Sequence, residues 1–546
     1  MIAAASRGWR PYGILLLLCA GLYLPGLASL PVMDRDEARF AQATRQMLET
    51  GDYLRIRFQG EARNKKPAAI YWLQAAAVAA FSDAASNSIW PYRVPSVIGA
   101  SGAVLLAFAF GARLVGPVAA LAGAALLAAS LGLTIEAHLA KTDAMLLLTC
   151  VAAQGALGEI YRRVQRGGGT AVWALLFWAA QGAAILIKGP VAPALSLLTA
   201  AALALADRDA RWLRGLKPLW GVAVLVVIVA PWLVAMSIAT NGAFIQEAIG
   251  HDFFGKLAGA QESHGAWPGY YLLLIAVTFW PGSLLLGAAA AYAWRERHDA
   301  SVRFLIAWAV PFWFVLELVP TKLPHYLLPA FPALALLAGR AALDGALNLP
   351  AWARRANIAI WAVASLMIAA TLALAPFVLE DRSAAAGFVA AAIILMVGGR
   401  IVRAGWRAIE PALAVRAAVL ALLVVPAAIA LEAPRLDALW LSRGAARMVA
   451  QYRPPPGVGV AALGYDEPSL VFLLGTDTLI ASPDQAAERL TSARGAVALV
   501  ESREDEAFRR ALSARGWQAQ RVDSVAGLDY SNGKHLVLTL YRAVPG

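Results

Sequence analysis

The chain has 546 residues, 60% of them apolar and only 15% charged, and its mean hydropathy of +0.62 excludes a soluble globular domain in favour of burial in a bilayer. Lys and Arg outnumber Asp and Glu by 47 to 35, a net charge of +12, yet the basic residues lie in short loops between apolar runs, which excludes a nucleic-acid-binding face. Cys19 and Cys150 both fall inside apolar runs, so neither a disulfide framework nor a thiolate metal cluster is available.

Arg7 and Arg10 precede an apolar run from Tyr12 to Leu30, which is too long for a signal peptide and reads as a retained anchor helix. Spans of about 17–25 residues suit the bilayer. The sequence places them near 12–31, 93–112, 116–133, 143–160, 172–187, 190–206, 217–239, 268–293, 303–320, 325–340, 356–378, 384–401 and 411–431. Alternate loops are basic, with Arg113, Arg162, Arg163, Arg166, Arg208, Arg211, Arg214, Lys217, Arg295, Arg297, Arg340, Arg354, Arg400 and Arg403. The positive-inside rule therefore puts the N-terminus in the cytoplasm of a bacterial inner membrane and the C-terminal tail on the opposite, periplasmic side. The expected fold is a polytopic α-helical membrane protein with about thirteen spans over residues 1–431 and a soluble α/β domain over 432–546.

The first outer loop, residues 32–92, is too long for a connector. Phe40, Ala43, Met47 and Leu48 recur at helical spacing against Arg39, Gln42, Arg45 and Gln46, which describes a helix lying on the membrane surface and ended by Gly51-Asp52. A second helix starts at Pro67 and carries Tyr71 and Trp72. After Pro434, runs at 457–463, 478–481, 496–501 and 535–541 read as strands, and 484–491 and 504–516 as helices.

The outer loops also gather ionisable groups. Asp34 and Glu37 fit a capping box at the start of the surface helix, which leaves Asp36 and Arg39 without a structural task. Asp143 opens the fourth span, as an N-cap or as a functional acid with Lys141 beside it. Lys66, Lys188, Lys256 and Lys322 put ammonium groups where the positive-inside rule disfavours them, and His264, His325 and Tyr326 share that side. Cations here can grip a lipid phosphate as it leaves, while a carboxylate takes a proton or stabilises a developing oxocarbenium. His138, His251, His264 and His325 keep a divalent metal open, although no HxxH or HExxH spacing supports one. A transporter or flippase is the rival reading, but it would place its charges near the midplane.

Taken together, Asp36-Glu37-Ala38-Arg39-Phe40-Ala41, Arg45-Gln46-Met47-Leu48, Gly51-Asp52, Lys66-Pro67 with Tyr71-Trp72, Asp143, and Lys322-Leu323-Pro324 with Tyr326 and Pro329 resemble the aminoarabinose transferases that modify lipid A. Those enzymes form part of the protein O-mannosyltransferase-like GT-C superfamily. The resemblance implies a glycosyltransferase that takes a sugar from a polyprenyl phosphate and passes it to lipid A or another outer-leaflet acceptor. It implies that Asp36 and Asp143 are the essential carboxylates. Lys66, Lys256 and Tyr326, together with Lys322 and Arg39, would hold the donor phosphate. Glu37, Tyr71, Lys188, His264 and His325 would lie in the cavity, and Glu467 could reach it from the soluble domain, although it reads more readily as a helix N-terminal acid. The family's acid before the motif lysine is Lys65 here, which weakens any metal site built on that acid.

Overall fold

Lipid offers the backbone no hydrogen-bond partner, so apolar runs of this length fold as helices that satisfy their own N–H and C=O groups. The computed structural model describes Ser6 and residues 8–64, 66–83, 86–247, 265–344, 349–380, 385–452 and 458–546. The first half of the chain forms α1 (Arg10–Tyr23), α2 (Asp36–Thr50), α3 (Ala69–Phe81), α4 (Trp90–Leu114), α5 (Pro117–Ala129), α6 (Leu131–Ala137), α7 (Asp143–Gln165), α8 (Ala171–Lys188), α9 (Val191–Asp207) and α10 (Pro218–Ala239). Then follow α11 (Tyr270–Thr278), α12 (Leu286–Arg295), α13 (Ala300–Leu318), α14 (Phe331–Leu343) and α15 (Ala351–Glu380), and two further spans over Ala385–Arg407 and Pro411–Arg435.

Among the described residues nine helices are long and apolar enough to cross a membrane, or eleven if two bent pairs each count as one. The pairs are α5 with α6, bent by 60°, and α11 with Gly282–Arg295, bent by 114°. The sequence leads to about thirteen, and the difference lies in two short helices. The expected span at 12–31 is the 14-residue α1 and that at 190–206 is the 17-residue α9. At 1.5 Å per residue these rise about 21 and 26 Å, less than the roughly 30 Å of a hydrocarbon core.

Small residues let the central helices approach closely. A Cβ at Gly99 of α4 would stand 2.7 Å from the backbone of Ala144 in α7, and one at Gly123 of α5 would stand 2.6 Å from the Ala335 carbonyl of α14. The basic loops cluster at one end of the bundle. There Arg113, Arg162 and Arg163 surround Glu159, and Arg303 pairs with Asp207.

At the other end α2 runs to Gly51, whose φ of +70° suits a residue without a Cβ and whose N–H closes the helix on Met47. The expected capping box does not form: Arg35 holds the N-cap position with a φ of 61°, and Asp34 turns away to accept from Ser469 Oγ. The polar side of α2 also departs from a helix lying free on a membrane surface, because Gln42, Thr44, Arg45 and Gln46 are buried. The tail meets Gln42 and Arg45, while Thr44 and Gln46 bond Gln74 and Gln59. Arg45 donates to the Phe472 carbonyl at 3.0 Å and Gln42 to Thr476 Oγ1 at 2.7 Å. A hairpin of β1 (Arg57–Phe58) and β2 (Glu61–Ala62) follows α2 and is held to it by Gln46, which bonds both backbone groups of Gln59.

The tail contains β3 (Ala461–Leu463), β4 (Leu479–Ile480), β5 (Ala498–Glu501), β6 (Trp517–Asp529) and β7 (Lys534–Pro545) in the order β4-β3-β5-β7-β6. Strands β4, β3 and β5 are parallel, and β5, β7 and β6 antiparallel. Helices Pro483–Ser492 and Asp505–Ser513 pack on it, the first opened by a Ser482–Gln485 capping box. Strand β6 was not expected. Its residues are mostly exposed or half-buried and its pairing shifts between Arg521 and Asp523, so no clean alternation marks it.

Candidate active site

Four elements end around one cavity of about 810 Å³: the start of α2, the start of α7, the end of α8 and the turn Pro324–Ala330 before α14. The β1–β2 hairpin and the tail segments at Asp466, Pro468 and Thr478–Ile480 complete its wall. Asp36, Arg39, Lys66, Asp143, Lys188, His325 and Tyr326 all line it.

Asp143 is the centre of an ion-pair network. Although it opens α7, its carboxylate does not cap the helix; Oδ1 lies 2.5 Å from Lys188 Nζ and 3.6 Å from His325 Nε2, and Oδ2 lies 3.8 Å from Lys141 Nζ. Lys188 reaches it from the last turn of α8, where Gly189, with a φ of +71°, lets the chain reverse. The same ammonium stands 5.6 Å over the Tyr326 ring, a contact that favours a cation. Lys141 in turn lies 3.0 Å from Glu136 Oε1 and 3.5 Å from His325 Nδ1.

Asp36 faces this network from α2. Desolvation in the cavity pushes its carboxyl up, but Lys141, then Arg63, His325 and Lys188 outweigh that effect and hold it below the ordinary aspartate value. Arg63 is itself fixed, 5.1 Å over the Phe40 ring with Nε donating to Tyr71 Oη at 3.3 Å.

Four residues expected in or around the cavity lie elsewhere. Glu37 is buried behind it, where both carboxylate oxygens accept from Arg93 at 2.8 and 2.9 Å. Tyr71 is fully buried and meets the cavity through Arg63 and the Phe40 ring, which both line it. Lys322 turns its ammonium onto the backbone carbonyls of Ala266, at 3.0 Å, and Val319. Glu467 occupies the N-cap of the helix Pro468–Leu474 beneath the wall, while its neighbour Asp466 lines the cavity. Lys256 and His264 lie outside the described residues, as do His251 and Lys65. His138 bonds to the Thr134 and Pro25 carbonyls and is structural. Among the described residues no group of three or more His, Cys, Asp or Glu side chains is arranged to hold a metal ion.

Sequence reasoning missed Arg63, Glu136 and Asp466. Gln59-Gly60 was a turn signal that could have revealed the hairpin carrying Arg63. Glu136 had only its place in an otherwise apolar stretch to mark it.

The family described as dolichyl-phosphate-mannose-protein mannosyltransferase matches residues 65–234. An undecaprenyl phosphate-alpha-4-amino-4-deoxy-L-arabinose arabinosyl transferase of Pseudomonas paraeruginosa is 33% identical over 349 residues, 63% of this chain and 62% of that protein. One from Pseudomonas aeruginosa is 34% identical over 333 residues, 60% of this chain and 59% of that protein. The match thus spans about three fifths of these relatives. The crystal structure of ArnT from Cupriavidus metallidurans bound to undecaprenyl phosphate superposes with a TM-score of 0.72 at 19% identity, over 96% of this chain and 97% of that one, a likeness of fold. By its apolar spans and this likeness of fold the chain is a multi-pass membrane protein with the architecture of that ArnT structure.

Proposed function

We propose that the chain is a glycosyltransferase that moves aminoarabinose, or a related sugar, from a polyprenyl-phosphate donor to lipid A or another outer-leaflet acceptor. The observation that carries this reading is the shared cavity: Asp36 and Asp143 line it with Arg39, Arg63, Lys66, Lys141 and Lys188. In such a transfer an acceptor oxygen bonds to the sugar's C1 as the C1–O bond to the polyprenyl phosphate breaks, and the electron pair leaves with the phosphate. Fixed cations stabilise that departing charge more strongly in a crowded cavity than in water. The carboxylates stabilise the positive charge that develops on the sugar ring.

The acceptor follows from the state of Asp36. A general base works best with a pKa near the working pH, whereas the cations around Asp36 hold it below the ordinary value. A carboxylate with such neighbours serves better as a fixed anion than as a base. An acceptor phosphate, already ionised, needs no base, so lipid A suits this carboxylate better than a hydroxyl or a protein side chain. Mass spectrometry of lipid A from cells with and without the gene tests the acceptor. Transfer of labelled sugar between lipids by purified Asp36→Asn and Asp143→Asn proteins tests the site, and full activity in both would remove the mechanism.

The bundle sits in a bacterial inner membrane with the arginine-rich end in the cytoplasm, and the cavity, residues 32–92 and the tail from 432 onward in the periplasm. Supporting this, Arg113, Arg162 and Arg163 cluster around Glu159 at one end, in keeping with the positive-inside rule. Reporter fusions after residue 431 and at the N-terminus, read for periplasmic or cytoplasmic activity, check the orientation.

A further inference from the structure

Glu136 lies at the end of the short helix α6, one layer behind the cavity wall, and is only 3% exposed. Its Oε1 stands 3.0 Å from Lys141 Nζ and 3.7 Å from His325 Nδ1, while Oε2 is buried with no hydrogen-bond partner. A carboxylate in that position costs several kcal/mol of desolvation, on the order estimated for buried ions, unless a cation repays it. Lys141 is the cation. It has few alternatives, because Asp143 is already engaged by Lys188 at 2.5 Å and lies 3.8 Å from Lys141.

We propose that Glu136 is a positioning residue that fixes the Lys141 ammonium, charged, at the cavity wall between Asp36 and Asp143. This rests on the transferase reading and extends it to the residue that sets the cation field. Four groups bear on Lys141, namely Glu136 from α6, Asp143 from α7, Asp36 from α2 and His325 from the turn before α14, and Lys188 from α8 shares Asp143 with it. Burial pulls the ammonium's pKa down, but Glu136 and then Asp143 pull it above the ordinary lysine value. Without the charge on Glu136, Lys141 loses its nearest carboxylate and sheds its proton at lower pH. Asp36 then loses the first of the cations that hold its carboxyl below the ordinary value.

The test uses the full-length protein in detergent, with pH profiles of sugar transfer and, separately, of polyprenyl phosphate binding. Glu136→Gln keeps the shape and removes the charge. Its alkaline limb moves down by about one to three pH units, the size of shift an adjacent opposite charge produces, and kcat falls more than the KM for donor rises. Glu136→Asp restores most of the limb. In a Lys141→Met background Glu136→Gln shifts nothing further. A Glu136→Gln profile that overlays the wild type, or an added shift in the Lys141→Met background, overturns the assignment. Binding separates the two ideas: a wild-type protein that binds polyprenyl phosphate but transfers nothing refutes the transferase reading, and the binding profiles still judge Glu136.

Discussion

Replacing Glu37 with leucine removes one partner of an ion pair whose side chains are 0% and 1% exposed. Arg93 donates to Glu37 at 2.8 and 2.9 Å and to the carbonyls of Leu27, Leu30 and Pro31 at 2.7 to 2.8 Å. The Glu37 carboxylate also accepts from the N–H groups of Met33 and Ala140, each at 2.8 Å. One carboxylate thus ties the chain after α1, the start of α2, the middle of the first turns of α4 and the connector that carries Lys141. The leucine strands a buried guanidinium and two N–H groups. Breaking a buried pair from one side costs about 3–5 kcal/mol, and at about 1.4 kcal/mol per tenfold change that lowers the folded population ratio by two to four orders of magnitude. Glu37→Leu/Arg93→Met removes the stranded charge and recovers roughly half of the loss, since three carbonyls and two N–H groups still lack partners. Urea unfolding in mild detergent, followed by tryptophan fluorescence, measures both. A single variant within about 1 kcal/mol of wild type, where ordinary surface substitutions fall, would refute the reasoning, as would a double variant no more stable than the single.

Asp143→Asn lowers transfer by about 10²–10³-fold, the scale of losing one fixed electrostatic group, and also lowers stability by about 3–5 kcal/mol because Lys188 loses its buried partner; unchanged transfer per folded molecule places Asp143 in the scaffold instead. Lys322→Met costs about 1 kcal/mol of stability, because two half-buried carbonyls lose their donor, and leaves the KM for donor unchanged; a raised KM shows that this ammonium reaches the phosphate. Asp34 predicts a pH dependence of tail docking. Burial, with Glu467 beside it, pushes the Asp34 carboxyl up to about 8, so the docked form keeps a proton that the undocked form releases near its ordinary value. Docking is therefore fully supported below about pH 4, weakens as pH rises toward 8 and is level above it. Proteolysis of the tail against pH follows this, and Asp34→Asn flattens the curve.

The bilayer made most of the architecture readable, because only helices satisfy a backbone in lipid and every span has to be apolar. Expectation and structure part most at α1, where the apolar run continues past the helix into a turn, so hydropathy overstates the span. The polar side of α2 failed for another reason. Gln42 and Arg45 pair with Thr476 and Phe472, more than four hundred residues away, and no local period distinguishes a face that meets water from one that meets another domain.

The same division explains the site. Asp36, Asp143, Lys66 and Lys188 stood out because a charge at the edge of a span is costly without a partner or a ligand, and that argument needs only the sequence. It identifies charged residues at the boundary without saying which way they turn. Lys322 satisfies the same rule by meeting two carbonyls of its own neighbourhood, and Glu37 by meeting Arg93. Both meet the expense structurally, so neither has charge left to offer a substrate. Asp143 differs because its partners Lys188, Lys141 and His325 come from three separate segments and all line the cavity. A network assembled from so many elements at a solvent-reachable wall does more than a single local ion pair would need, and that excess is what distinguishes the cavity from the scaffold around it.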